Sequence, residues 1–280
     1  MAERYQLGIF GWPVAHSKSP EMHESAARAL GIELRYERFE VAPDGLSDAV
    51  QAKHRAGIDG YNLTVPHKQA IMSLVDDVAP GARAIGAVNT VVRSDGKYVG
   101  HNTDALGFVR SLEEAGVTIE GANVVVLGAG GAARAAVVGL AQAGAADIQV
   151  LSRRPEQGEA LERSLSPATS AVLGSAPLSE AKRFFESATL LVQATSATLE
   201  SNPGAAEFAA GLPIDSLPDR AAVVDMVYKP LKTSLLERAE ARGLVTVDGL
   251  GMLLHQGAIA FEMWTGFAPS LDVMRAVLND

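Results

Sequence analysis

NVVVLGAGGAAR, residues 123–134, begins with an apolar, mostly β-branched run, Asn123 to Leu127, passes through GAGG, and continues into an Ala-rich helical pattern from Gly131 to Ala143. β-Branched residues suit a strand, and Ala has the highest helix propensity. A second apolar run, Asp147 to Leu151, completes a βαβ unit, the building block of a parallel nucleotide-binding sheet. In this context Gly128 permits the tight turn. Gly130 and Gly131 remove side chains where a pyrophosphate must approach backbone N–H groups at the positive helix end, so the cradle reads as Gly128, Ala129, Gly130, Gly131 and Ala132. The spacing is GxGG, not GxGxxG, and the glycines alone would fit a plain tight turn; it is the flanking strand, helix and second strand that favour a dinucleotide.

The second strand runs into LSRRPE. A site for NAD usually ends this strand with Asp or Glu, which accepts from the ribose hydroxyls; here Ser152, Arg153 and Arg154 stand instead. Two guanidiniums offer charge-assisted donors to a 2′-phosphate, so the expected cofactor is NADP, the competing reading being a solvated basic turn. Further strands are expected at Thr189 to Ala194 and Ala221 to Val227, and a helix from Thr233 to Arg242. Ser164 to Ser179 reads as loop around one weak strand.

Upstream, short apolar or aromatic runs at Gln6 to Phe10, Arg35 to Val41, Gly60 to Val65 and Ala87 to Arg93 alternate with helical patterns, which indicates a second α/β unit. Ser19 and Pro20 mark a helix start and Gly31 its stop, while Asp95 and Gly96 mark a hairpin turn. Two helical segments after Val247, Met252 to Trp264 and Ser270 to Leu278, are expected to return to the first domain. The fold class is therefore α/β with two domains: residues 1–104 with 249–280 form a substrate-binding catalytic domain, and 105–248 a Rossmann-like domain.

Composition narrows the function classes. A net charge of -9 without basic runs argues against nucleic acid and anionic membrane as partners. With no Cys, disulfides, thiolate nucleophiles and Cys-based metal sites are excluded, and no metal is expected. The first twenty residues lack an apolar stretch for a signal peptide, and Ala132 to Ala146 is too short and too interrupted to span a bilayer. A cytoplasmic protein, monomeric or homodimeric, with a small-molecule substrate is expected.

The chemistry-bearing residues cluster at strand ends. In Tyr61 to Pro66, alternation sends Tyr61, Leu63 and Val65 one way and Asn62 and Thr64 the other; Pro66, His67 and Lys68 follow, placing an ammonium at the start of the next helix. Asn89 and Thr90 interrupt an apolar run, and Asn102, Thr103 and Asp104 sit at a strand-to-helix junction. Asp104 and Ser19 are both also readable as helix caps, whereas Ser17, just outside the helix, is less easily explained as structure.

These segments resemble the shikimate dehydrogenase family from end to end: HSKSP (His16 to Pro20), NLTVPHK (Asn62 to Lys68), GAVNT (Gly86 to Thr90), GHNTD (Gly100 to Asp104), GAGGAAR, DMVYKPLKT (Asp225 to Thr233) and GLGMLLHQGA (Gly249 to Ala258). The resemblance implies NADP-dependent reduction of 3-dehydroshikimate to shikimate in aromatic amino-acid biosynthesis, in a cleft between the domains. It implies that Ser17, Ser19, Asn62, Thr64, Asn89, Tyr228 and Gln256 bind the carboxylate and hydroxyls, with Lys68 and Asp104 as the catalytic pair. Thr195, Ser196, Met226, Gly249 and Met252 would join the cofactor site, although a Met on a helix is as readily a core residue.

Oxidising a secondary alcohol requires a proton carrier at the hydroxyl while hydride leaves the same carbon. A carboxylate beside Lys68 favours its charged form and makes it a better acid than base. Whether Lys68 moves the proton itself or orients the hydroxyl and shares the transfer with Asp104 or water is open at this point. The chain departs from the family pattern at Gln193, where Asn is usual in the segment before Ala194, Thr195 and Ser196, and at Arg154, where a small hydroxyl residue is usual. Two alternatives compete: a quinate/shikimate dehydrogenase using NAD, which an acid at position 152 would have favoured, and a non-catalytic regulator, which loss of Lys68 or Asp104 would have favoured.

Overall fold

The structure, a computed structural model, describes residues 4–279. Among these the chain forms two compact units, one of the residues up to Gly107 together with those from Leu254 onward, the other Phe108–Leu253.

The first unit begins β1 (Arg4–Gly11), α1 (Ser19–Ala29), β2 (Glu33–Glu40), α2 (Leu46–Arg55), β3 (Gly60–Leu63), β4 (Asp77–Val78), α3 (Pro80–Ile85), β5 (Thr90–Ser94) and β6 (Lys97–His101), and α4 (Asp104–Glu114) follows. Among the described residues its sheet has the order β2-β1-β3-β5-β6-β4. β1 pairs parallel with both β2 and β3, which requires crossover helices, whereas β3–β5 and β5–β6 are antiparallel. α1 meets that need with Ser19, Met22, His23, Ala26 and Ala27 buried at helical spacing. The β5–β6 hairpin closes through Asp95 and Gly96 at φ 50° and 78°, the backbone a two-residue turn demands.

Three expectations shift here. The run from Ala87 becomes strand only at Thr90, preceded by Asn89, whose N–H donates to the His101 carbonyl and whose carbonyl accepts from Leu63 N. The strand from Gly60 ends at Leu63, and Val65, expected on the same face as Tyr61 and Leu63, is 68% exposed while those two are buried. No α-helix starts at Lys68; residues 65–69 are turns leading to a 3-10 turn at Ala70–Ser73.

The second unit contains β7 (Asn123–Leu127), α5 (Gly131–Gln142), β8 (Asp147–Ser152), α6 (Pro155–Leu165), β9 (Val172–Pro177), α7 (Ala181–Phe185), β10 (Leu190–Gln193), α8 (Ala205–Gly211), β11 (Ala222–Asp225), α9 (Ser234–Ala241) and β12 (Val245–Val247). Its sheet, ordered β12-β11-β10-β7-β8-β9 among the described residues, is parallel throughout. Parallel sheets are covered on both faces, which is why VVVL, LLVQ and AVVD are buried without alternation. The chain order reverses between β7 and β10, the point outside whose carboxyl ends such sheets bind ligands. The weak strand expected between Ser164 and Ser179 is β9, on the sheet edge.

α10 (Leu250–Thr265) and α11 (Leu271–Asn279) complete the chain. In the first unit, Ala260 and Trp264 of α10 pack with Leu7, Ile9, Val14 and Tyr36, and the Trp264 indole donates to the Val91 carbonyl at 2.9 Å. α11 packs on α1, so the chain returns to its first unit as its sequence suggests. No helix of the described residues is long and apolar enough to cross a membrane.

Candidate active site

In the first unit, Lys68 Nζ lies 2.6 Å from Asp104 Oδ2, with the two side chains only 16% and 5% exposed. Each is held from behind. The Lys68 carbonyl accepts from Val88 N at 2.7 Å, and the neighbouring buried His67 bonds the Val41 carbonyl at 2.7 Å. Asp104 is the first residue of α4, but it does not cap it. Asn102 Oδ1 takes that role, accepting from the backbone N–H groups of Asp104 and Ala105, which leaves the carboxylate free to turn inward. Its second oxygen accepts from Asn89 Nδ2 at 2.8 Å. Both carboxylate oxygens of this buried ion pair thus have a partner.

Asn89 is the hub of a polar chain. Its Nδ2 also reaches Thr103 Oγ1 at 2.9 Å and Gln256 Oε1 at 3.3 Å, while its Oδ1 accepts from Thr103 N at 2.7 Å and Thr90 Oγ1 at 3.0 Å. Gln256 can come this close because Gly107 lies opposite: a Cβ there would stand 2.6 Å from Gln256 N. Asn62 Nδ2 donates to Thr90 Oγ1 and to the Asn89 carbonyl, both at 3.0 Å, and its Oδ1 accepts from the Tyr36 hydroxyl at 2.6 Å.

The loop before α1 supplies a hydroxyl pair, Ser17 Oγ to Ser19 Oγ at 3.1 Å. Ser19 is not the cap, since Lys18 holds that position; the Ser19 N–H at the helix start donates to Ser17 Oγ at 3.3 Å. Hydroxyl protons rotate, so both serines can turn to donate to an anion. Thr64 is half-buried after β3. The structure therefore joins Lys68, Asp104, Asn89, Asn62 and Gln256 in one network with Ser17 and Ser19 beside it. Sequence reasoning missed Tyr36, and Arg38, whose guanidinium bonds the Ser17 carbonyl at 2.9 and 2.5 Å; both are hidden in the charge-rich β2 segment ELRYERFE.

In the second unit, Gly128–Ala132, Ser152–Arg154, Thr195–Ser196, Met226–Tyr228 and Gly249 all follow the carboxyl ends of parallel strands, on one edge of the sheet. Gly128 has φ 111°, and a Cβ there would come 2.6 Å from Thr195 Cγ2, so fold and packing both require glycine. Gly130 differs. Its φ of -83° suits any residue and a Cβ would meet nothing within 4 Å, so neither fold nor packing requires glycine there, and the space at the α5 N-terminus is open. Arg153 and Arg154 are exposed, and among the described residues no carboxylate pairs with either. An open glycine cradle and two uncommitted guanidiniums fit a phosphorylated dinucleotide.

Gln193 serves the loop, not the edge. Fully buried, it accepts from Thr195 N and donates to the Thr195 carbonyl and Thr198 Oγ1. Thr198 and Thr233 in turn donate to Asp225, whose carboxyl burial pushes upward while these bonds and Val227 N pull it down. Tyr228 is half-buried and Met252 is 9% exposed.

Comparisons with known proteins agree along the chain. Residues 9–91 match the family described as shikimate dehydrogenase substrate binding domain, 111–202 shikimate / quinate 5-dehydrogenase, and 249–278 the shikimate 5'-dehydrogenase C-terminal domain. A shikimate dehydrogenase (NADP(+)) of Symbiobacterium thermophilum is 44% identical over 272 residues, covering 96% of this chain and 92% of that protein. The crystal structure of a Thermus thermophilus shikimate 5-dehydrogenase in complex with NADP(H) and shikimate is similar at TM-score 0.86 and 39% identity, over 98% of both chains. A Corynebacterium glutamicum quinate dehydrogenase in complex with NAD is similar at TM-score 0.89 and 32% identity, over 98% of both chains.

Proposed function

We propose that this chain, which belongs to the shikimate dehydrogenase family, interconverts 3-dehydroshikimate and shikimate with NADP as its cofactor. The observation that carries the reading is the buried Lys68–Asp104 pair, held 2.6 Å apart at the end of a polar chain. NADPH, when bound, supplies the hydride that reduces the carbonyl carbon, and NADP+ takes it back in oxidation. Gly128, Ala129, Gly130, Gly131 and Ala132 would hold the pyrophosphate, and Ser152, Arg153 and Arg154 the 2′-phosphate. Thr195, Ser196, Met226, Gly249 and Met252 would shape the rest of that site.

In reduction, Lys68 gives an ammonium proton to the substrate oxygen as it becomes a hydroxyl, a contribution of about 10²–10⁴-fold. Asp104 holds the resulting amine in place until solvent reprotonates it, and oxidation reverses these steps. Ser17 and Ser19 donate to the substrate carboxylate, while Asn62, Thr64, Asn89, Tyr228 and Gln256 bond the ring hydroxyls. The enzyme is read as cytoplasmic, monomeric or homodimeric, with no nucleic-acid or membrane partner.

The test is the absorbance of reduced cofactor, with shikimate and quinate each supplied against NADP and NAD. Shikimate with NADP is expected to give by far the highest rate. Faster quinate oxidation with NAD would move the assignment to that activity, and NADP binding without turnover of either acid would make the chain a regulator.

A further inference from the structure

We infer that Tyr36 is a positioning residue of this enzyme: its phenol holds Asn62 while Arg38 on the same strand holds the Ser17 loop, so that β2 sets the spacing between the carboxylate-binding serines and the proton-handling Lys68–Asp104 pair. The inference rests on the substrate reading above and adds to it a residue that touches neither the reacting atoms nor the cofactor.

Three observations carry it. The Tyr36 hydroxyl donates to Asn62 Oδ1 at 2.6 Å. Through Asn62 it reaches the chain that runs by Thr90 and Asn89 to Asp104 and Lys68. Asn62 is nearly saturated besides. Both Nδ2 protons are committed, to the Asn89 carbonyl and Thr90 Oγ1, so the amide orientation is fixed and Oδ1 keeps one lone pair beyond the one Tyr36 occupies. Finally, Arg38 lies two residues along β2, on the same face as Tyr36, and bonds the Ser17 carbonyl, so one strand fastens both the serine loop and Asn62.

The phenol is fit for a permanent donor role. Tyr36 is 4% exposed, with its ring stacked on His23 and tilted against Trp264. Burial pushes its ionisation well above the usual tyrosine range, so it remains protonated at any working pH.

The test is steady-state kinetics of Tyr36→Phe, which keeps the ring and its packing and removes the hydroxyl alone. KM for shikimate is expected to rise about three- to ten-fold, the loss of one neutral hydrogen bond. KM for NADP and the pH profile of kcat should stay at the parent values. In a double-mutant cycle with Asn62→Ala, the two KM effects should be strongly non-additive, because Tyr36 acts through Asn62. A lower melting temperature with unchanged KM would overturn the inference and leave Tyr36 a core residue, as would additive effects in the cycle. No shikimate turnover by the parent enzyme would instead remove the substrate reading, and this inference with it.

Discussion

His23 sits at the centre of the first unit in a state that acid should expose. It is fully buried in α1, stacked on Tyr36 with ring centroids 4.8 Å apart at 14°, parallel to Phe261 at 6.2 Å, and edge-on to Trp264 at 5.2 Å. Neither ring nitrogen has a hydrogen-bond partner, and burial pushes the imidazole down to about 3 from 6.5. The native state therefore refuses a proton that the unfolded chain accepts once pH drops below about 6.5. Stability is intact above that value and falls with pH at up to about 1.4 kcal/mol per unit until the folded group itself titrates. At pH 5.0 the loss attributable to this residue is about 2 kcal/mol. His23→Phe preserves the stacked ring and abolishes the titration. Urea denaturation of both proteins at pH 7.5 and 5.0 should show the parent losing about 2 kcal/mol more than the variant between the two conditions. At pH 7.5 the variant should be the more stable, by on the order of 1–3 kcal/mol, because a buried polar ring without partners has gone. The other histidines are common to both proteins and cancel in the difference. Equal losses would show that His23 accepts a proton in the folded state, contrary to its burial.

The remaining predictions concern the two sites and the core. Lys68→Ala should lose about 10²–10⁴-fold in kcat while NADP affinity, read by fluorescence titration, holds at the parent value; ordinary turnover would remove Lys68 from the chemistry. Arg153→Ala with Arg154→Ala should raise KM for NADP about 10- to 100-fold and leave KM for NAD unchanged, since only the 2′-phosphate is lost as a partner. An equal effect on both cofactors would contradict that assignment. Phe185→Ala, at a fully buried position in the second unit's core, should cost about 3–5 kcal/mol in urea denaturation.

How far the sequence could be read depended on how each element is buried. β7, β10 and β11 lie inside a sheet covered on both faces, so their apolar runs are continuous and visible, and β8 departs from this only at Gln149. β9, on the edge and half-exposed, reads as VLGSAP, with little apolar character. β4 and α3, of two and six residues, are too short to express a period. At the site, Asn62, Lys68, Asn89 and Asp104 were legible because polar groups broke apolar runs. The turn that carries Lys68 was mistaken for a helix start because Pro66 suits both. Tyr36 was illegible for the opposite reason: glutamates and arginines surround the single buried position of its strand.

One small arrangement at the start of α4 separates scaffold from reagent. With Asn102 holding the first turn, the side chain at position 104 carries no share of keeping that turn wound. Charge, length or isotope can therefore be altered there while the helix end remains sealed, and any change in behaviour reports on the carboxylate's bonds to Lys68 and Asn89, not on the helix.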